Sequence, residues 1–289
     1  MTKPCPGPDP NTKRPNYEAP QGACDCHAHV FGPVAAYPLT PNRSFTPSDC
    51  PIGDYLQMLA TLGIERAVLV QGSAHGTDNS ATFDAIAQVG NRFRGVAVIE
   101  PTITEAELVR LHEGGFRGCR MSTMVKGGVG FESLEALAVR VKLLGWHLVL
   151  HLNRSSELVE LAPRLLASGA TFVVDHLARV RGDEGPEAPG FRMLLRLLQE
   201  TDRGWVKLSS LYRLSGEPHP YRDMLPMINA VVEARPDRVL WGSNWPHPIH
   251  YGPMPNDGDL LDAFAQWIPT EPLRQRILVN NPAALYGFD

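Results

Sequence analysis

A chain of 289 residues, 43% hydrophobic and 20% charged, has the balance of a globular protein with a sizeable core. Its formal net charge of −4 excludes a general nucleic-acid binder, which needs a basic face. Five cysteines, an odd number, do not describe a disulfide framework, and the "CDC" pair Cys24 and Cys26 reads as ordinary packing of small apolar side chains. The opening "MTKPCPGPDPNTKRPNYEAP" is rich in proline and lacks the apolar stretch of a secretory signal. It predicts an irregular arm over residues 1–22, in front of one domain over 23–289, and composition leaves open whether the arm wraps that domain. No run of about 18 apolar residues is present, so the expectation is a cytoplasmic protein with no membrane partner.

From Ala23 onward, short β-rich runs alternate with helical spacing. The strands read in order as "ACDCHAHV", "RAVLVQGS", "FRGVAVIEP", "FRGCRMST", "WHLVLHLN", "TFVVDHL", "WVKLSS" and "RVLWGSN". Between them lie helical segments such as "DYLQMLATLG", "TEAELVRLHEGG" and "SELVELAPRLLASG". Several end at a glycine, as at Gly63, Gly90, Gly145 and Gly169, which suits a helix C-cap feeding the next strand. Eight strands alternating with helices over about 265 residues predict an α/β fold, a (β/α)8 TIM barrel. The competitor is a doubly wound sheet. It is disfavoured because the first strand-to-helix turn has no G-x-G-x-x-G, and "KGGVG" is too loose for a phosphate cradle.

Strand alternation then sorts the side chains. In "WHLVLHLN", Trp146, Leu148, Leu150 and Leu152 share the helix-facing side, while His147, Val149, His151 and Asn153 point into the barrel. In the first strand, Asp25, His27 and His29 fall on one face. In the sixth, His176 aligns with Phe172 and Val174, and in the eighth Asn244 aligns with Leu240 and Gly242. His27 and His29 form an H-x-H pair, about 6.5–7 Å apart along the strand, able to ligate one metal or to donate two hydrogen bonds to one substrate oxygen. With His151, His176 and Asn244 they collect at the strand ends, where barrels of this kind hold their active sites.

These motifs, "DCHAHVFGP", "QGSAHGTDN", "GGFRGCR", "VVDHLAR" and "WGSNWPHP", resemble the amidohydrolase superfamily, in the branch of 2-pyrone-4,6-dicarboxylate hydrolase and related lactonases. The resemblance runs from about Gly22 to "NNPAALYGF". It implies an enzyme that opens the ring ester of a carboxylated, anionic lactone in aromatic or sugar-acid catabolism. It implies that His27, His29 and His176 polarise the lactone carbonyl, and that Arg120 and Arg213 grip carboxylates through their guanidinium forks. Ser73 and His75 are implied to line the pocket.

Three positions depart from the family pattern. Asn244 stands where an aspartate would activate water, His151 where a tyrosine would bind substrate, and Lys126 where a second arginine is expected. Metal-dependent members use a fifth-strand histidine as a ligand, so His27, His29, His151 and His176 would suffice for one Zn2+, with Asn244 orienting a metal-bound water. The alternative is a metal-free site in which Asn244 is a substituted general base; a passive turn residue is the third reading. Lactone isomerisation, with a substrate hydroxyl as nucleophile, tolerates an asparagine better than hydrolysis does. Decarboxylation and a catalytically silent anion-binding barrel complete the alternatives. The loop "HPIHYGPMPNDG" reads as a lid from which His247 or Tyr251 would reach the pocket.

Overall fold

The structure, a computed structural model, describes residues 2–289. Eight parallel strands lie in sequence order: β1 (Cys24–Ala28), β2 (Arg66–Val70), β3 (Phe93–Ala97), β4 (Phe116–Ser122), β5 (His147–His151), β6 (Phe172–Val174), β7 (Gly204–Leu208) and β8 (Val239–Trp241). Closure between the last and first strands comes from backbone bonds just past the strand ends. Asn244 N donates to His27 O and His29 N to Trp245 O, each at 2.8 Å. The result is a (β/α)8 barrel, a TIM barrel.

Seven helices fill the crossovers: α1 (Ile52–Leu62), α2 (Ser80–Val89), α3 (Glu105–Glu113), α4 (Leu134–Leu143), α5 (Glu157–Ser168), α6 (Pro189–Glu200) and α7 (Leu225–Ala234). After β8 the chain adds α8 (Asp257–Trp267), α9 (Glu271–Gln275) and α10 (Asn281–Tyr286). Left-handed residues at Gly63 and Gly169 terminate α1 and α5. The last turn of α4 ends one residue earlier than its glycine, at Leu144. Apolar residues divide into two bodies. The larger lies between strands and helices. The smaller fills the barrel itself with Cys24, Cys26, Val68, Val70, Val96 and Val149, closed at the bottom by Tyr286 and Phe288. The arm packs along the outside: Lys13 N donates to Asn256 Oδ1 at 2.9 Å and Tyr17 N to Asp262 Oδ1 at 2.8 Å.

Two strand faces differ from simple alternation. The pairing of β1 with β2 slips between Asp25 and Ala28. Cys24 and Cys26 therefore face inward while Asp25 faces outward, to Tyr55 of α1 (2.9 Å) and to Ser243, and the slip returns His27 to the interior beside β7. In β6 the inward residue is Val173, so Phe172 and Val174 face the helices. His176 reaches the mouth by leaving the strand. It opens a run of four left-handed residues, His176 to Arg179, with φ between 49° and 61°. Non-glycine side chains adopt that conformation at a cost of about 1 kcal/mol or more each, so tertiary contacts must hold the turn.

Candidate active site

A narrow cavity opens at the C-terminal ends of the strands. It brings together His29, Ser73, Arg120, His151, His176, Arg213 and Asn244, with Phe31 and Phe45 as apolar walls. His27 lies behind this lining, its ring centroid 5.0 Å from His29 and 4.7 Å from His176. His75 does not line the cavity; it stacks on Phe31 at 5.8 Å and its Nδ1 meets the Pro38 carbonyl. Lys126 does not reach in either. Its side chain is exposed, because the glycine-rich loop turns its backbone inward: a Cβ at Gly127 (φ +94°) would lie 2.3 Å from Ser73 O. Gly242 plays a similar part below the pocket, where a Cβ would meet His27 at 2.7 Å. Tyr251 is exposed, with Lys3 over its ring.

Beneath the histidines sits a buried ionic cluster of which only Lys207 lies outside the quoted motifs. Asp175 Oδ1 is 3.2 Å from Lys207 Nζ and 3.3 Å from His27 Nδ1, and Asp175 Oδ2 is 3.3 Å from Arg120 Nε. Burial pushes the Asp175 pKa up, but Lys207, His27 and Arg120 hold it well below the usual carboxylate range. Lys207 was readable as an anomaly: it stands two residues after the inward Trp205, so a barrel puts an ammonium in its interior. Burial, with the nearby cations, drives all four imidazoles down. His27 falls to about 4, while His29, His151 and His176 fall well below the ordinary histidine value, so all four are neutral at pH 7.

A second chain stands behind Asn244. The amide Nδ2 donates to Tyr212 Oη at 2.9 Å, Tyr212 Oη meets His247 Nδ1 at 3.0 Å, and His247 Nε2 lies 3.2 Å from Asp257 Oδ1 in the first turn of α8. Burial works against charge on His247, yet Tyr212 and Asp257 push its pKa up to about 9. His247 therefore supports the wall of the cavity from behind. Asn244 itself has a left-handed backbone (φ 66°), so its side chain is aimed by a turn and not by strand alternation. One N–H of its amide is taken by the phenol, so it offers the cavity its carbonyl oxygen and its second N–H.

Arg179, at the end of the left-handed turn, was not foreseen. With Arg213 it lines an open cavity beside the pocket, and the Nε of each is buried without a hydrogen-bond partner. Two guanidiniums so placed are a ready site for an anion.

Among the described residues, only His27, Asp175 and His176 bring ligand atoms within 4.8 Å of one another. The carboxylate of that trio is already met by an ammonium and a guanidinium, which leaves only the free nitrogens of His27 and His176 for an ion. These residues do not fit a divalent ion.

The family described as Amidohydrolase matches residues 24–288. This chain belongs to it. A 2-pyrone-4,6-dicarboxylate hydrolase from Comamonas testosteroni is 40% identical over 287 residues, covering 96% of this chain and 93% of that one. A D-galactarolactone isomerase from Agrobacterium fabrum (strain C58 / ATCC 33970) is 31% identical over 278 residues, covering 94% and 93%. Among solved structures, an apo protein from Agrobacterium tumefaciens superposes with a TM-score of 0.81 at 29% identity, covering 95% of this chain and 99% of that chain. In this family member, among the described residues, no helix is long and apolar enough to cross a membrane.

Proposed function

We propose that this amidohydrolase opens the ring ester of a lactone bearing anionic substituents, without a metal. The observation that carries the reading is the lining of the pocket: neutral imidazoles from His29 and His176 face the guanidiniums of Arg120 and Arg213, with no free carboxylate among them. Such a pocket repels cations, binds an anion, and sets guanidinium donors where a carbonyl would develop negative charge. Ser73 and His151 complete the wall beside the substrate. The hydrolase relative named above acts, by its name, on a pyrone dicarboxylate, a planar lactone of this class.

Asn244 favours a second reading within the same family. Its carbonyl oxygen can accept a hydrogen bond from a hydroxyl but cannot remove the proton. A hydroxyl of the substrate would serve as nucleophile as well as water does, giving a second lactone in place of a ring-opened acid. The isomerase relative makes that outcome concrete. The test is to incubate the wild type and Asn244→Asp in metal-free buffer with 2-pyrone-4,6-dicarboxylate and with a galactarolactone, and to follow products by NMR. Ring-opened acid from the wild type supports hydrolysis; a second lactone supports isomerisation. Binding without turnover of either substrate by both proteins would sink the enzymatic reading for this lactone class.

A further inference from the structure

The two histidines of the H-x-H pair are held by partners of opposite kind. His29 Nδ1 lies 2.7 Å from the Val70 carbonyl, which can only accept, so this nitrogen carries the proton and Nε2 is left with a lone pair. His27 Nδ1 lies 3.3 Å from Lys207 Nζ, which can only donate. Asp175 Oδ1 lies at the same 3.3 Å from Nδ1 and is itself met by the ammonium at 3.2 Å, so Lys207 touches both the carboxylate and the ring nitrogen. With Nδ1 accepting, the proton of His27 sits on Nε2, which is buried and without a partner, beside the rings of His29 and His176.

We propose that Lys207 and the Val70 carbonyl split the pair into a donor and an acceptor. From behind the lining, beside His29 and His176, His27 Nε2–H donates to a substrate carbonyl oxygen that reaches the pocket floor, and His29 Nε2 receives the proton of the attacking water or hydroxyl, the task Asn244 cannot perform. This rests on the lactone-opening reading above. The step balances as follows. The nucleophile's O–H bond breaks toward His29 while its oxygen bonds to the carbonyl carbon. The carbonyl electron pair moves onto the oxygen facing His27. On collapse, the ring C–O bond breaks and the leaving oxygen takes the proton back from His29. Burial, with His27 and Arg120 beside it, makes His29 a weak base in the empty pocket; a substrate anion on Arg120 offsets the guanidinium's part of that effect and strengthens the base. Lys207 touches no substrate and is a positioning residue. Its replacement by methionine leaves Arg120 and Asp175 as a balanced pair.

The experiment uses the full chain labelled with 15N-histidine and long-range 1H–15N NMR, with His27→Gln and His29→Gln serving to assign the signals. The expected spectrum shows His27 as the Nε2–H form and His29 as the Nδ1–H form. Lys207→Met is expected to move the His27 proton to Nδ1, toward Asp175, and to lower kcat about 10²–10³-fold with KM nearly unchanged. His29→Gln is expected to lower kcat about 10²–10⁴-fold. A wild-type spectrum with His27 protonated on Nδ1, or with His29 protonated on Nε2, overturns the proposal, as does a kcat within tenfold of wild type in His29→Gln. Tautomers are read without substrate. A wild type that turns over no lactone therefore removes the lactone-opening reading and the acceptor's task with it, while the donor–acceptor split still stands or falls on the spectrum.

Discussion

Two buried polar chains reach the same pocket from different sides, and they are built on different terms. Under the pocket, one carboxylate, Asp175, meets two cations, Lys207 and Arg120. Behind Asn244, one carboxylate, Asp257, meets one imidazole, which passes the contact through a phenol to an amide. The first chain has a surplus positive charge that only a bound anion neutralises. The second is balanced and needs nothing from the substrate. The first therefore prepares binding and polarisation, and the second fixes a side chain in place.

That contrast breaks most visibly at Asp175. Asp175→Asn leaves Lys207 and Arg120 buried with no counter-charge, and the expected loss of stability is about 3–5 kcal/mol, measured by urea unfolding at pH 7. A loss under about 1 kcal/mol would mean that water already reaches the two cations, and the cluster would not be the dry assembly its burial indicates.

The second chain is sharpened by pH. His247 has a folded pKa of about 9 against about 6.5 in an unfolded chain. A raised folded pKa means that its contribution is fully present below about pH 6.5 and is lost as pH rises through 9. The shift corresponds to roughly 3 kcal/mol over that window, as an upper figure because Tyr212 shares the proton. Unfolding free energy measured from pH 6 to pH 9.5 should fall by that order in the wild type and stay nearly level in Asp257→Asn. Equal slopes for the two proteins would show that the imidazole is not charged by Asp257.

The two chains also differ in how far the sequence announces them. Arg120 and Lys207 sit on strands and are placed by alternation, as are His147, Val149 and His151 on β5. All eight strands are legible because short β-rich runs alternate with helical segments, several of which close at a glycine. His176 and Asn244 were put at the mouth through the wrong geometry. Each gets there by a left-handed backbone, which alternation cannot describe, and the one-residue slip in β1 hides the outward turn of Asp25 in the same way. The Tyr212–His247–Asp257 chain joins residues from two loops and a helix start, so no spacing in the sequence links its members.

The smallest expected effects concern the rim, where two cations divide. Lys126 matches the family's arginine position yet is exposed on its loop, while Arg179, the last residue of the "VVDHLAR" motif, shares a cavity with Arg213. Lys126→Ala is expected to leave stability within about 0.5 kcal/mol of wild type, as for an ordinary surface position, and to leave KM within about twofold. Arg179→Ala removes a charged hydrogen-bond donor from an anion site, where such a bond is worth about 1.5–3 kcal/mol. That corresponds to a rise in KM of roughly tenfold to a hundredfold, with kcat little changed because the group sits away from His27 and His29. Steady-state kinetics on an anionic lactone, set beside those on the methyl ester of the same lactone, decide the matter. If Arg179 binds the anion, its loss penalises the charged substrate and spares the ester. If Lys126→Ala shows that pattern instead, the loop at Gly127 closes over the bound substrate, and the second cation comes from the family's position after all.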